Sequence, residues 1–326
     1  METINYRQAI ARSLAEAMRR DPDVLFFGED VAVAGGAFKA TPGLLEEFGP
    51  RRVRDTPISE QAIVGAALGA AVTGLRPVAE VMFADFAAVC FDQIVNQVAK
   101  YRYMSGGQLS VPLVIRMSNG AGAGFGAQHS QPAENWFLNV PGLKIVTPGT
   151  VEDLFGLMLA AVEDDDPVLF FEHKNLFAVK GQVPAIGGAP IPLGRASVVR
   201  RGGDVTIVAN QQMRHVSLAA ADELAREGIQ ATVIDPRTLV PFDDATVLDS
   251  LRETSRLVVV QEAPPDGSWG ASLISRVVSK NLELIDAPPA LVAAEEIPVP
   301  YAAAMEERWL PRASDVVSAV QRAVAY

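Results

Sequence analysis

The strongest constraint on this chain is a recurrence. Short, predominantly apolar runs are each followed by a turn and then by a stretch with helical spacing. Such runs lie at 24–27, 78–83, 112–117, 143–147 and 167–172, and a second series lies at 205–209, 231–235, 257–261 and 290–293. A half-solvated strand alternates apolar with polar residues, whereas a strand buried on both faces stays apolar throughout. Apolar strands alternating with helices predict an α/β protein whose sheets are parallel and covered on both sides. The 326 residues suffice for two such domains. Between the two series, residues 178–203 are broken by Pro and Gly (Val183-Pro184-Ala185-Ile186-Gly187-Gly188-Ala189-Pro190) and read as a surface linker. The predicted division is a first domain at 1–180, a linker at 181–203 and a second domain at 204–326.

Helices fill the intervals. Tyr6, Ile10, Leu14 and Met18 recur every four residues and predict an amphipathic helix over 5–20. One long helix is expected over 85–104, closed by Ser105-Gly106-Gly107, and others near 151–163, 213–227, 243–253, 269–279 and 313–324. The stretch Asp55-Thr56-Pro57-Ile58-Ser59-Glu60 introduces the most unusual of them. Thr-Pro is a turn and helix-entry signal, Ser59 suits an N-cap, and Glu60 falls in the first turn, where the helix dipole favours a carboxylate. From Ile63 to Val72 there is no charge and hardly a polar atom, which predicts burial on most faces. Gly65 and Gly69 share one face and would admit a closely approaching backbone. A helix-start Glu is ordinarily a solvated residue, so a chemical role for Glu60 needs support from elsewhere in the chain.

Charge and cysteine content exclude several partners. The formal net charge is −11, which disfavours nucleic acid and anionic membrane surfaces. The longest uninterrupted apolar run, 62–72, is shorter than the about 20 residues that span a bilayer. Cys90 is the sole cysteine and sits in an apolar helical pattern, as expected of a cytoplasmic protein with a buried thiol. No leader pattern opens the chain.

Most familiar catalytic motifs are missing. There is no Gly-x-x-x-x-Gly-Lys loop, no Gly-x-Ser-x-Gly elbow and no zinc-type spacing of Cys or His. Gly122-Ala123-Gly124-Phe125-Gly126-Ala127 follows a strand and matches the loose dinucleotide fingerprint, but a polar, Pro-containing segment follows where that fingerprint needs a helix. Of the three histidines, His215 opens a helical pattern and His173 ends a strand, as an ion-paired terminus or a site edge. His129 lies in a loop at the carboxyl end of an expected parallel strand, where α/β sheets place their ligands. Glu29 and Glu60 hold comparable positions, so one His and two Glu on strand-end loops of one sheet point to a catalytic pocket. The acidic run Glu163-Asp164-Asp165-Asp166 sits where a helix turns into a strand. It is either a solvated helix end or, with backbone carbonyls, a hard-cation site.

A set of longer motifs runs in order through nearly the whole chain: Phe27-Gly28-Glu29-Asp30-Val31, Arg52-Val53-Arg54-Asp55-Thr56-Pro57-Ile58-Ser59-Glu60, Phe91-Asp92-Gln93-Ile94-Val95-Asn96, Arg102-Tyr103-Met104-Ser105-Gly106-Gly107-Gln108, Gln128-His129-Ser130-Gln131, Phe171-Glu172-His173-Lys174 and Asp235-Pro236-Arg237-Thr238-Leu239. In these it resembles the beta subunit of the thiamine diphosphate-dependent 2-oxo acid dehydrogenases, the first component of the pyruvate, branched-chain and acetoin complexes. The resemblance implies an N-terminal pyrimidine-binding, transketolase-like domain and a C-terminal transketolase-type domain. By resemblance, Glu60 hydrogen-bonds a ring nitrogen of the cofactor's aminopyrimidine and so controls its tautomer. His129 then positions the intermediate and handles protons during transfer to a lipoyl group, and Glu29, Met82 and Phe86 line the pyrimidine pocket. Ala161, Asp164 and Asp166 match a potassium site of relatives.

The superfamily's Gly-Asp-Gly motif for diphosphate and magnesium is absent from this chain. The resemblance therefore implies an alpha subunit that supplies those contacts in a two-alpha, two-beta tetramer, a 2-oxo acid substrate, and docking to a lipoyl acyltransferase core. The second domain departs from the family pattern at Asn210-Gln211-Gln212, at Gln261-Glu262-Ala263-Pro264-Pro265-Asp266-Gly267-Ser268-Trp269-Gly270-Ala271-Ser272 and at Glu296-Ile297-Pro298-Val299-Pro300-Tyr301. These departures keep two alternatives open: a split transketolase-like or acyloin-forming carboligase without a lipoyl partner, and a non-catalytic assembly subunit. The substrate side chain is not legible.

Overall fold

A strand buried on both faces needs a hydrogen-bonded neighbour on either side and a covering layer above and below. The computed structural model, which describes residues 1–326, meets this requirement twice. The chain divides into two units, Met1–Asn119 with Trp136–Leu193, and Gly120–Asn135 with Gly194–Tyr326.

In the first unit, six parallel strands lie side by side in the order Lys144–Val146, Val168–His173, Val114–Asn119, Arg76–Phe83, Val24–Gly28, Val53–Asp55. The helices Tyr6–Arg20 and Val151–Glu163 pack against each other over this sheet. Tyr6, Ile10, Leu14, Leu154 and Met158 enclose Phe26 and Phe170 in one core. Each such fully buried side chain stabilises the fold by about 1.5–3 kcal/mol relative to exposure. The first helix starts where it does because Asn5 and Gln8 cap each other's backbone amides, at 2.8 and 2.9 Å. Thr150 caps the other helix through the Asp153 amide, 3.0 Å away.

The second unit has a five-stranded mixed sheet in the order Ala290–Val292, Leu257–Val260, Val205–Ala209, Ala231–Asp235, Ser197–Arg200. Its first four strands are parallel, and Ser197–Arg200 closes one edge antiparallel. The helices Gln211–Arg226 and Ala313–Ala325 cover one face, burying Met213, Leu224, Val316 and Val320 against Ile207 and Val258. No helix is long and apolar enough to cross a membrane.

Three features differ from the reading of the sequence. The expected long helix over 85–104 is three pieces, a 3-10 turn Ala84–Ala88, a π-helix Gln93–Val98 and a short helix Tyr101–Met104. The buried residues Ala87, Cys90, Ile94 and Val98 are three to four apart, a spacing that does not separate a regular helix from one with widened turns. Residues 120–135 group with the second unit although they follow directly on a strand of the first. Residues 181–203 contain structure of their own: Lys180–Val183 pairs antiparallel with Glu2–Asn5, and Ser197–Arg200 is a strand of the second sheet.

Candidate active site

The strand order of the first unit creates a switch point. The chain leaves Val24–Gly28 towards Val53–Asp55 on one side, and leaves the adjacent Arg76–Phe83 towards Val114–Asn119 on the other. Connections that diverge from two adjacent carboxyl ends leave a crevice between them, the usual ligand site of an open α/β sheet. Glu29 follows the first of these strands directly. Met82 is near the end of the second, and Phe86 lies in the turn just beyond it, its ring edge-on to Phe83 at 5.5 Å. Both Met82 and Phe86 are half-buried.

Local hydrogen bonds bring Glu60 to the same end of the sheet. The Thr56 amide donates to the Gly28 carbonyl at 2.9 Å, which extends the pairing past Asp55. The Asp55 carboxylate accepts from the amides of Ala32 and Val33 at 2.7 and 3.2 Å, tying the turn after Glu29 to the segment before Glu60. Pro57 and Ser59 then lead into the helix Glu60–Val72. Ser59 occupies the N-cap position, but its side chain makes no capping bond, contrary to expectation; its carbonyl accepts from Ile63 at 2.9 Å. Gly28 has to be glycine, because a Cβ there would stand 2.8 Å from the Cβ of Glu80 on the neighbouring strand.

Glu29 and Glu60 are each only 7% exposed. Neither makes an ion pair, and Glu29 Oε1 is buried without a hydrogen-bond partner, as is Thr56 Oγ1. Burial, followed by the negative charges of Glu60 and Asp30, raises the Glu29 carboxyl above the usual glutamate range. Cys90 lies within the field of Glu60 too. Burial and that charge push its thiol up to about 12, so it is an inert core residue.

Helix Glu60–Val72 is not buried all round. Ile63, Val64, Ala67, Leu68 and Ala71 face the core, while Gln61, Ala62, Ala66 and Gly69 are exposed. Gly65 meets only the end of the Gln93 side chain, 3.4 Å from an added Cβ, and Gly69 faces open space. The close packing suggested by these glycines is therefore not made within this chain. The exposed side borders a groove of about 520 Å3 lined by Ala62, Ile63, Ala66, Ala70 and Leu75, with Arg54 at its edge.

His129 belongs to the second unit and is half-buried, its backbone N–H donating to the Gly126 carbonyl at 3.3 Å. His173 is 1% exposed, and its Nδ1 accepts from the Asn175 amide at 3.3 Å, a strand-end cap.

The acidic run carries no metal-type cluster. Lys144 Nζ contacts Asp164 at 2.6 and 2.7 Å and Asp166 at 3.2 Å, and Arg102 pairs with Asp166. Arg76 donates to the carbonyls of Val162 and Asp164 at 3.1 and 3.2 Å. Burial alone would raise the Asp166 carboxyl, but hydrogen bonds from Lys144 and Arg102 hold it below the usual range. Ala161 is a buried residue of the preceding helix. A potassium site built on the two carboxylates does not fit, because protein cations already neutralise them.

Sequence reasoning passed over a buried triad. Arg116, 1% exposed, donates to both oxygens of Glu172 at 2.8 and 2.5 Å and pairs with Glu80. The three residues lie on adjacent strands, and the signal was available: charged residues inside runs otherwise apolar on both faces must neutralise one another. It also passed over Glu306, which accepts from the Gly122 and Gly124 amides in the loop before His129.

The transketolase pyrimidine-binding domain family matches residues 2–180, and the transketolase C-terminal domain family matches residues 194–316. The beta subunit of acetoin:2,6-dichlorophenolindophenol oxidoreductase from Bacillus subtilis (strain 168) is 44% identical, over 97% of this chain and 95% of its own. The pyruvate dehydrogenase E1 component subunit beta of Rhizobium meliloti (strain 1021) is also 44% identical, over 100% of this chain and 71% of its own. Among solved structures, a split gene transketolase, described as an inactive beta4 tetramer, superposes with a TM-score of 0.81 at 26% identity, covering 99% of this chain and 98% of that one. A switch-point crevice with two unneutralised glutamates, matched along its length to these relatives, places this chain in the family of transketolase-like beta subunits of the thiamine diphosphate-dependent 2-oxo acid dehydrogenases.

Proposed function

We propose that this chain supplies one half of an active site that decarboxylates a 2-oxo acid and passes the acyl group to a lipoyl acceptor. The other half comes from an alpha subunit in a two-alpha, two-beta assembly. The observation that carries the reading is the pair Glu29 and Glu60, buried at the switch point with no cation and with Glu29 Oε1 unpartnered. Such a pair suits a ligand with a hydrogen-bonding heteroaromatic edge, and Met82 and Phe86 suit its apolar faces. These residues therefore fit an aminopyrimidine. Glu60 holds a proton at its ring nitrogen, and Glu29, Met82 and Phe86 orient the ring. Thiamine diphosphate, when bound, supplies the nucleophilic carbon and the electron sink for loss of carbon dioxide. His129 handles the proton moved during acyl transfer.

Two features support a partner subunit. The chain has no Gly-Asp-Gly for diphosphate and magnesium. The helix that begins at Glu60 exposes a face of Ala and Gly beside an apolar groove, a surface suited to another chain rather than to water. The experiment is reconstitution with the alpha subunit. Calorimetry is expected to show thiamine diphosphate binding tightly to the pair with magnesium, and at least about a hundredfold more weakly to this chain alone. The pair is expected to reduce a lipoylated acceptor domain in the presence of a 2-oxo acid. The likeness to a split transketolase favours a second reading, a carboligase. Carbon–carbon bond formation without lipoyl reduction would establish it in place of the first.

A further inference from the structure

We propose that Glu306, assisted by Glu262, is a positioning residue that holds the glycine-rich loop carrying His129 through an internal anion site. Gly120, Gly122, Gly124 and Gly126 all have positive φ, between 72° and 92°. Left-handed residues at every second position turn successive backbone N–H groups towards a common centre, which attracts an anion. The anion here is a side chain of the same unit. Glu306 Oε1 accepts from the Gly122 amide at 2.7 Å and Oε2 from the Gly124 amide at 3.0 Å, while Glu262 accepts from the Ala121 amide. Both carboxylates are buried, Glu306 at 3% exposure. The Tyr301 ring lies against Gly126, 3.3 Å from an added Cβ. The Gly126 carbonyl in turn accepts the backbone N–H of His129.

Glu306 is itself fixed. It lies on the helix Ala303–Trp309, and Trp309 packs with Ala121, Ala294 and Val299 while its Nε1–H donates to the Glu295 and Ile297 carbonyls at 3.0 and 3.1 Å. The loop is thus anchored at 121, 122, 124 and 126, the last anchor three residues before His129. The amides that a dinucleotide fingerprint would offer to a pyrophosphate are taken by Glu306, so this loop binds no phosphate. The far C-terminal segment instead sets where His129 stands.

The inference rests on the role given to His129 above, and two independent readouts separate the two. The full chain, paired with its alpha subunit, is compared with Glu306→Gln, Glu306→Asp and His129→Ala. Glu306→Gln keeps the shape of the side chain but leaves one acceptor oxygen for two amides. Hydrogen exchange at Gly122 and Gly124 is expected to rise at least about tenfold, without a change in global melting. The kcat for lipoyl-acceptor reduction is expected to fall about 10- to 100-fold with KM for the 2-oxo acid little changed, because misplacing a reacting group costs rate rather than binding. Glu306→Asp, which keeps both oxygens, is expected to recover part of the loss. Unchanged exchange in Glu306→Gln overturns the clamp. Raised exchange with unchanged kcat overturns the positioning role. If His129→Ala leaves kcat intact, the reading of His129 fails, and exchange alone then decides whether Glu306 holds the loop.

Discussion

Four buried glutamates of the first unit form two contrasting pairs. Glu80 and Glu172 lie within the strands, and the guanidinium of Arg116 bridges them. Glu29 and Glu60 lie just past the carboxyl ends of strands, equally buried, with no cation between or beside them. The first pair satisfies its charges where no ligand can reach. The second leaves its hydrogen-bonding capacity unmet where the strand order opens a crevice. An uncompensated buried carboxylate costs stability and is tolerated where something outside the chain completes it. On the function proposed above, the contrast separates structural from functional charge.

The contrast can be tested by removing charge from each place. Glu60→Gln is expected to give the largest change, a fall of about 100- to 10,000-fold in kcat of the reconstituted enzyme with thermal stability undiminished. Activity close to wild type would show that Glu60 is another structural glutamate. Arg116→Met should act the other way round. With Glu80 and Glu172 left facing each other unpaired, unfolding in urea is expected to show a loss of about 3–5 kcal/mol. A loss below 1 kcal/mol in that titration would mean the triad is not isolated from water as its burial implies.

Glu29 supplies the pH test. Its carboxyl is raised in the folded state, so the fold binds its proton more tightly than the unfolded chain does. The resulting cost is absent below the ordinary glutamate range. It grows as pH rises from there and is complete above the folded value. Glu29→Gln should accordingly raise the melting temperature at pH 7, with the gain vanishing in acid, while weakening thiamine diphosphate binding. A gain independent of pH would point to packing instead. The smallest effect is expected at Lys144, whose partners Asp164 and Asp166 are partly exposed. Lys144→Met should cost about 1 kcal/mol or less. A markedly larger loss would make that cluster a buried network comparable with Arg116.

Much of this was legible in the residues. Largely apolar runs identified the central strands of both sheets because burial on two faces removes polar alternation, but not the short edge strands Val53–Asp55 and Ser197–Arg200, which are less buried. The spacing of Tyr6, Ile10, Leu14 and Met18 located the first helix within a residue, whereas its capping pair Asn5 and Gln8 emerged only from the structure. The motif around Asp55 marked a special turn, and its hydrogen bonds show why: Asp55 binds the loop that follows Glu29. Other features depended on neighbours that are remote in sequence. An apolar helix of Ala and Gly looks wholly buried whether the protein's own core or a second chain covers it, so the exposed face of Glu60–Val72 was hidden. The acidic run looked like a cation site because the approach of Lys144 and Arg102 is invisible in linear order.

By itself, then, the sequence determined an α/β architecture, the central strands that build it, and the motifs that assign the chain to its family, because these follow from local periodicity and from matches between residues. Only the tertiary structure decided which charges are matched. It placed Arg116 between two glutamates, gave the acidic run to Lys144 and Arg102, closed Glu306 over the glycine loop, and left Glu29 and Glu60 together without a cation. Charge compensation acts over a few ångströms, and the chain brings those partners together only by folding.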